Sequence, residues 1–337
     1  MSHLNELREI ANNLVKKGKG ILAADESNPT CTKRFEAIAV KSNFNTRNEY
    51  RDILLTSPNI EEYISGVILF EETLKQTTTC EQKIAFPELL TSKGIIPGIK
   101  VDKGAKTLEG SINEKITEGL DGLEKRLEEY YSLGARFAKW RAVITIGDDI
   151  PTDACLNANA HALARYAAKC QQAGMVPIVE PEVLMDGNHT IEKCNAVTNK
   201  ILKCVFEQLS LQDVYLEGIV LKPNMVISGI DCTEQANIDK VAEMTYECLK
   251  NNVPESVPGI AFLSGGQSGS TATSHLYKMN AKYMLDMPWH LTFSYGRALQ
   301  QDALNTWKGK QENRAIAQQK FINQAKNNSL ATLGKSI

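Results

Sequence analysis

The chain has 337 residues, 42% hydrophobic and 23% charged, with a net charge of −2. That balance belongs to an ordinary globular protein and gives no electrostatic reason to expect a nucleic-acid or membrane partner. The N-terminal MSHLNELREI lacks a signal-peptide apolar core, the eight cysteines show no C-x-x-C spacing, and no apolar run reaches membrane-spanning length. A free cytoplasmic protein is expected.

Residues 4 to 17 read as an opening helix. Thereafter short runs of Val, Ile, Leu and Ala recur with little internal polarity, as in strands buried on both faces of a parallel sheet. Their starts fall near Gly20, Ile64, Ile96, Ala135, Met175, Leu216, Gly259 and His290, 31 to 44 residues apart. Helical patterns fill the gaps. Leu120, Leu123, Leu127 and Tyr131 mark one face over 118 to 133, and Leu156, Leu163, Tyr166 and Cys170 mark the next helix. Residues 298 to 326 form a closing helical region, and no Pro/Gly/Ser-rich linker interrupts the chain. The pattern predicts one α/β domain over 1–337, a (β/α)8 TIM barrel with additional terminal helices. The small polar stretch 327–337 is expected to be a mobile tail.

Barrel strands are normally apolar, yet six of these eight carry ionisable residues near their C-terminal ends, where barrel enzymes build their sites. Asp25 ends GILAAD, Glu71 follows GVILF, Lys100 ends PGIK, Lys139 and Arg141 sit in FAKWR, Glu180 and Glu182 in VPIVEPE, and Lys222 ends GIVLK. Side chains two apart on a strand share a face. Facing outward, the pairs 139/141 and 180/182 would press charge against apolar helices, so inward is the expected direction. An ionic lattice without chemistry is the competing reading. Buried ion pairs stabilise a fold less than Leu or Val of similar volume, however, and titratable clusters concentrate at functional sites. For Glu71 and Asp102 taken singly, an orienting or loop-surface role is expected. A lysine among other cations in a partly dry pocket has a lowered pKa, and only its neutral amine attacks a carbonyl. Spacing leaves Lys100, Lys139 and Lys222 as nearly equal candidates for such a Schiff-base former, with carboxylates nearby to move protons.

FLSGGQSGS at 262–270 follows the seventh strand and FSYGRAL at 293–299 follows the eighth. Loops at these two places often hold phosphate in barrel enzymes. Glycine lets backbone N–H groups face an anion, and Arg297 adds a bidentate donor. A glycine pair alone usually marks an ordinary turn, so position carries this argument. Lys33 and Arg34 offer a second basic group across the mouth, with a solvated helix face as the alternative. Two phosphate sites suit a sugar bisphosphate. His3, His161, His189, His275 and His290 show no metal-ligand spacing, so no metal or other cofactor is expected.

From about residue 4 to 335 the chain resembles the class I fructose-bisphosphate aldolases of glycolysis. The likeness rests on GKGILAADES (18–27), GVILFEETL (66–74), GIKVDKG (98–104), FAKWR (137–141), VPIVEPE (176–182), LKPNM (221–225), FLSGGQS (262–268) and FSYGRAL (293–299), in that order. The resemblance implies that Lys222, in LKPNM, is the Schiff-base lysine. It implies that Glu180 is the acid/base for imine formation with Glu182 as its partner, and that Asp25 takes the C4 hydroxyl proton. Lys139 then stabilises that ionised group and the carbinolamine. By the same likeness Ser264, Gly265, Gly266, Ser294 and Arg297 hold the C1 phosphate, Ser27, Arg34 and Lys100 lie near the C6 phosphate, and Arg141 lines the mouth. The implied reaction is metal-free, reversible cleavage of D-fructose 1,6-bisphosphate into dihydroxyacetone phosphate and D-glyceraldehyde 3-phosphate. The implied setting is glycolysis and gluconeogenesis, in a cytoplasmic homotetramer that can also bind actin or other proteins.

Two segments depart from the family pattern. Tyr295 is the last tyrosine, so LATLGKSI lacks the tyrosine-ended tail that assists proton exchange at the enamine, and Pro29-Thr30-Cys31 replaces a small serine-containing turn. Two other functions fit part of the sequence. A transaldolase-type or deoxyribose-phosphate-aldolase-type barrel needs only one phosphate site. A barrel kept as a binding scaffold needs no joint presence of Asp25, Lys139, Glu180 and Lys222.

Overall fold

A computed structural model describes residues 2–336. It opens with α1 (Ser2–Leu14), β1 (Gly20–Ala24), α2 (Asn28–Glu36), α3 (Phe44–Leu55), β2 (Ile64–Leu69), α4 (Glu71–Leu74), α5 (Phe86–Ser92) and β3 (Ile96–Lys100). A hairpin of β4 (Ala105–Thr107) and β5 (Lys115–Thr117) precedes α6 (Leu123–Ser132), β6 (Phe137–Ile144), α7 (Asp153–Gln172), β7 (Val176–Val183), α8 (Ile191–Leu211) and β8 (Val220–Leu221). The chain continues through α9 (Ile238–Asn252), β9 (Gly259–Phe262), α10 (Gly269–Tyr283), β10 (His290–Tyr295), α11 (Arg297–Trp307) and α12 (Arg314–Thr332).

Eight parallel strands close into a barrel in the order β1-β10-β9-β8-β7-β6-β3-β2, the (β/α)8 fold that the spacing predicts. Its sixth strand starts at Val220 instead of Leu216. The side-chain amide of Gln171 donates to the carbonyls of Tyr215 and Gly218 and accepts from the Tyr215 N–H. Those backbone groups are thereby kept out of the ladder, and Leu216–Gly218 forms a 3-10 turn. The hairpin is an addition that no apolar run announces, since β4 is fully exposed. The closing helical region is two helices, and α12 runs on through the stretch expected as a tail, to Thr332. Small polar residues there have internal partners: Ser329 Oγ donates to the Gly18 carbonyl at 2.6 Å and Thr273 Oγ1 donates to Asn328 Oδ1 at 3.0 Å.

Apolar side chains from six strands meet inside the barrel: Ile21, Ala23, Ile68, Phe137, Val176, Ile178, Val220 and Ala261. Helix α1 and the turn that follows it close the N-terminal end of this interior with Leu7, Ala11, Leu14 and Val15, spaced as one helical face. Gly66 permits the close fit, because a Cβ there would come within 2.5 Å of Leu14. The inward set fixes the parity of every strand. Residues two or four further along, Asp25, Lys139, Arg141, Glu180, Glu182 and Lys222, therefore stand above this apolar floor at the C-terminal mouth. Lys100 is in register with Lys139, and Ser294 with Ile21. Loops around that mouth are pinned where helices begin. Thr152, Thr190, Asn237 and Ser268 each accept the N–H three residues on, caps worth about 1 kcal/mol apiece.

Candidate active site

The mouth encloses an open cavity of about 240 Å³. All the site residues expected from the sequence line it except Ser27 and Lys100. Ser27 starts α2, its hydroxyl 3.0 Å from that of Thr30. Lys100 turns its Nζ to Asp102, 2.5 Å from Oδ1 and 3.0 Å from the carbonyl. Of the two roles expected for Asp102, orienting or loop surface, it takes the first: it is buried, and its Oδ2 also accepts from the Arg141 N–H at 3.3 Å. It lies two residues past Lys100, so the same period-two rule extended by one step would have found it. Glu71 is the opposite case. Ile68 faces inward, so Glu71, three residues on, does not; it begins α4 and pairs with Lys75 at 2.8 Å. Five strands, not six, bring charge to the mouth.

Two participants carry no sequence signal. Glu26, on the opposite parity to Asp25, is buried and accepts from Arg51 at 2.6 Å and from Arg34. Arg51 projects from α3 and is itself buried. Burial alone would push the Glu26 carboxyl up, but Arg51 and Arg34 outweigh it and hold it below the usual range. Arg34 is thereby anchored at the rim with part of its guanidinium exposed.

The centre of the site is a chain of charges. Lys139 Nζ lies 3.1 Å from Asp25 Oδ2 and 2.8 Å from Glu180 Oε2, and Lys222 Nζ lies 3.2 Å from Glu180 Oε1. Arg141 pairs with Glu182. Burial disfavours charge on each of these groups, and the outcome depends on what surrounds it. Asp25 is pushed up by burial, yet Lys139, Lys222 and Lys100 together hold it well below the carboxylate range. Glu180 is likewise held down against burial by Lys139, Lys222 and Arg141. Lys139 would be lowered by burial, but Asp25, Glu180 and Asp102 raise it, so it remains an ammonium. Lys222 ends up lowered: burial dominates, Lys139 adds to it, and Glu180 and Asp25 only partly offset them. Such an array can present one neutral amine beside a carboxylate able to take and return a proton.

Across the cavity, Gly265 and Gly266 have φ of 56° and 89°, a left-handed pair that side chains other than glycine resist. A Cβ on Gly266 would also come within 2.7 Å of Met185 Sδ. Among the described residues, neither glycine N–H has an acceptor. Arg297 Nη2 donates to the Gly266 carbonyl at 3.1 Å, joining this turn to the start of α11. Ser294 Oγ is buried with no hydrogen-bond partner among the described residues. Two free N–H groups, an unpartnered hydroxyl and a guanidinium form a receptor for a compact anion. No group of three or more His, Cys, Asp or Glu among the described residues is placed to hold a metal ion. No helix there is long and apolar enough to cross a membrane.

A family model described as fructose-bisphosphate aldolase class-I matches residues 6–336. A probable class 1 fructose-bisphosphate aldolase of Xanthomonas axonopodis pv. citri is 55% identical over 333 residues, covering 98% of each chain. Fructose-bisphosphate aldolase 5, cytosolic, of Arabidopsis thaliana is 52% identical over 99% of this chain and 92% of its own. Among solved structures, the Plasmodium falciparum fructose-bisphosphate aldolase in complex with TRAP and a small-molecule inhibitor superposes with a TM-score of 0.97 at 49% identity. That match covers 100% of this chain and 96% of the other. The chain belongs to the class I fructose-bisphosphate aldolase family, carbon–carbon lyases that reversibly cleave D-fructose 1,6-bisphosphate into dihydroxyacetone phosphate and D-glyceraldehyde 3-phosphate.

Proposed function

We propose that cleavage runs through a Schiff base on Lys222, within one barrel domain spanning the chain. The observation that carries this is the contrast between two buried lysines. Lys139 touches two carboxylates and stays charged, whereas Lys222 touches only the carboxylate it shares with Lys139 and has its proton affinity lowered. The neutral Lys222 amine attacks the C2 carbonyl of the open-chain sugar. Glu180, 3.2 Å away, takes a proton from the nitrogen and returns it to the C2 oxygen to give the carbinolamine; a second proton, drawn from solvent through Glu180, lets that hydroxyl leave as water and gives the protonated imine. Glu182, tied to Arg141, supports Glu180 from the same face of β7. Asp25 takes the C4 hydroxyl proton as the C3–C4 bond breaks and the aldehyde leaves. Lys139 stabilises both the ionised C4 oxygen and the carbinolamine. Electrons left on C3 pass into the iminium as an enamine, which a proton and water convert to dihydroxyacetone phosphate.

Ser264, Gly265, Gly266, Ser294 and Arg297 hold the C1 phosphate in this reading. Arg34, with Ser27 and Lys100 at the rim, meets the C6 phosphate. A homotetramer in the cytoplasm, working in glycolysis and gluconeogenesis without a cofactor, completes the proposal. The name of the Arabidopsis relative supports the compartment, and exposed Leu211, which lines one surface cleft with partly buried Phe206, is apolar surface that an oligomer contact would cover. The Plasmodium complex with TRAP supports a capacity to bind protein partners, and actin enters the proposal as one such partner on the family resemblance alone. Light scattering at four chain masses tests the tetramer. The central test is borohydride reduction of the enzyme with dihydroxyacetone phosphate, followed by peptide mapping. Label at Lys222 is expected; label at Lys100 or Lys139 overturns the mechanism.

A further inference from the structure

We propose that His275 is a positioning residue for the phosphate-binding turn, acting through the side chain of Gln267. The Ser264 carbonyl oxygen can only accept hydrogen bonds. It receives two from one residue, the Gln267 backbone N–H and the Gln267 side-chain Nε2, each at 3.0 Å. That contact fixes the orientation of the amide. With Nε2 turned to Ser264, Oε1 faces Nδ1 of His275 at 2.7 Å, so Nδ1 is the nitrogen that carries hydrogen. His275 and Gln267 are both buried, and burial pulls the imidazole down to about 4. The ring is neutral near pH 7, and its one proton is committed to Gln267.

The relay therefore runs from the second turn of α10, through Gln267, to the carbonyl that opens the turn. Its purpose follows from what the turn contains. Gly265 and Gly266, consecutive left-handed residues, leave the backbone more conformational freedom than any other pair would. A single backbone bond closes the turn, and the side-chain amide adds a second tie to the same oxygen. With Ser264 held, the unpartnered N–H groups of the two glycines are kept ready for the anion before it arrives. An apolar side chain at 275 would fill the same space without the cost of burying ring nitrogens, which points to the donated hydrogen bond as the reason for histidine.

The inference rests on the assignment of this turn to phosphate, so its test carries a control for that assignment. Steady-state cleavage and competitive inhibition by inorganic phosphate are measured for H275L, which removes the donor, and H275N, whose amide can donate from the place of Nδ1. H275L is expected to raise KM and the phosphate inhibition constant roughly five- to tenfold, with kcat within about twofold, as for a lost bond that orders a binding group. H275N restores both. If H275N is no better than H275L, or KM does not move, the relay is wrong. Where H275L does not fold, Q267M removes both side-chain bonds of the same relay, and an unchanged KM there overturns the proposal equally. G266A is the control. If G266A raises KM and H275L does not, the relay fails and the phosphate site stands; if neither does, both fail.

Discussion

Replacing Lys139 by methionine removes the cation between Asp25 and Glu180 while keeping an unbranched side chain in its place. Nζ lies 3.1 Å and 2.8 Å from the two carboxylates, and all three groups are buried or nearly so. At an effective dielectric constant of about 20 those separations correspond to roughly 5 and 6 kcal/mol of gross attraction. Desolvation offsets much of this, so the expected loss is that of stripping a buried ion pair of one partner, about 3–5 kcal/mol. The pH dependence supplies the stricter check. Asp25 and Glu180 sit below their ordinary values of 3.8 and 4.5 in the folded protein. Depressed carboxylates contribute stability that is complete above the unfolded values and is lost as pH falls toward the folded ones. Lys139→Met lacks that contribution, so its deficit against wild type is full at pH 7 and narrows as pH drops through 4.5 and 3.8. Urea unfolding of both proteins at pH 7 and below pH 4 measures it. A deficit under about 1 kcal/mol at pH 7, within the range of ordinary surface changes, or one that is the same at both pH values, would refute the account of the charge chain.

Other outcomes follow from the same geometry. Trapping of an aldehyde by borohydride at Lys222 should be half-maximal below pH 10.5, the ordinary lysine value, because burial and Lys139 lower it. Lys139→Met should move the midpoint upward, and a wild-type midpoint at or above 10.5 contradicts the nucleophile assignment. Ser294→Ala removes a hydroxyl with no hydrogen-bond partner among the described residues, so thermal melting should hardly change while KM rises; an unchanged KM removes Ser294 from the proposed phosphate site. Leu14→Ala opens the plug at the far end of the barrel and should cost about 2–5 kcal/mol. Because no reacting group lies there, kcat/KM of the folded variant should match wild type, and a large fall would show that floor and mouth are coupled.

Much of this architecture can be read along the chain, because one rule serves both fold and site. Apolar runs at even spacing give the barrel, and period-two alternation within FAKWR and VPIVEPE predicts that charged pairs share the inward face. Glu71 and Asp102 show the rule's reach. Judged by proximity to a strand end, Glu71 belongs with the cluster and Asp102 with the surface loop; judged by parity from Ile68 and Lys100, they exchange places, and the structure agrees with parity. Glu26 and Arg51 obey no such rule. They are 25 residues apart, and their pairing depends on how α3 packs beside the end of β1. The same holds for α12, where composition suggests solvent and the actual partners are Gly18 and Thr273, 311 and 55 residues away in sequence.

The choice among three lysines marks the limit of reading along the chain. Lys100, Lys139 and Lys222 share the inward parity of their strands, and spacing ranks none above the others. What separates them is how many carboxylates each one meets. Lys100 pairs with Asp102, Lys139 pairs with Asp25 and a share of Glu180, and Lys222 pairs with only the remaining share. A carboxylate carries one charge, so it cannot fully compensate two buried ammonium groups. The group with the second anion keeps its proton, and the group without one is the cheaper to neutralise. Lys222 thus becomes the candidate nucleophile through what Asp25 does for its neighbour. Replacing Asp25 should accordingly blunt the difference between Lys139 and Lys222 as well as remove the proposed base.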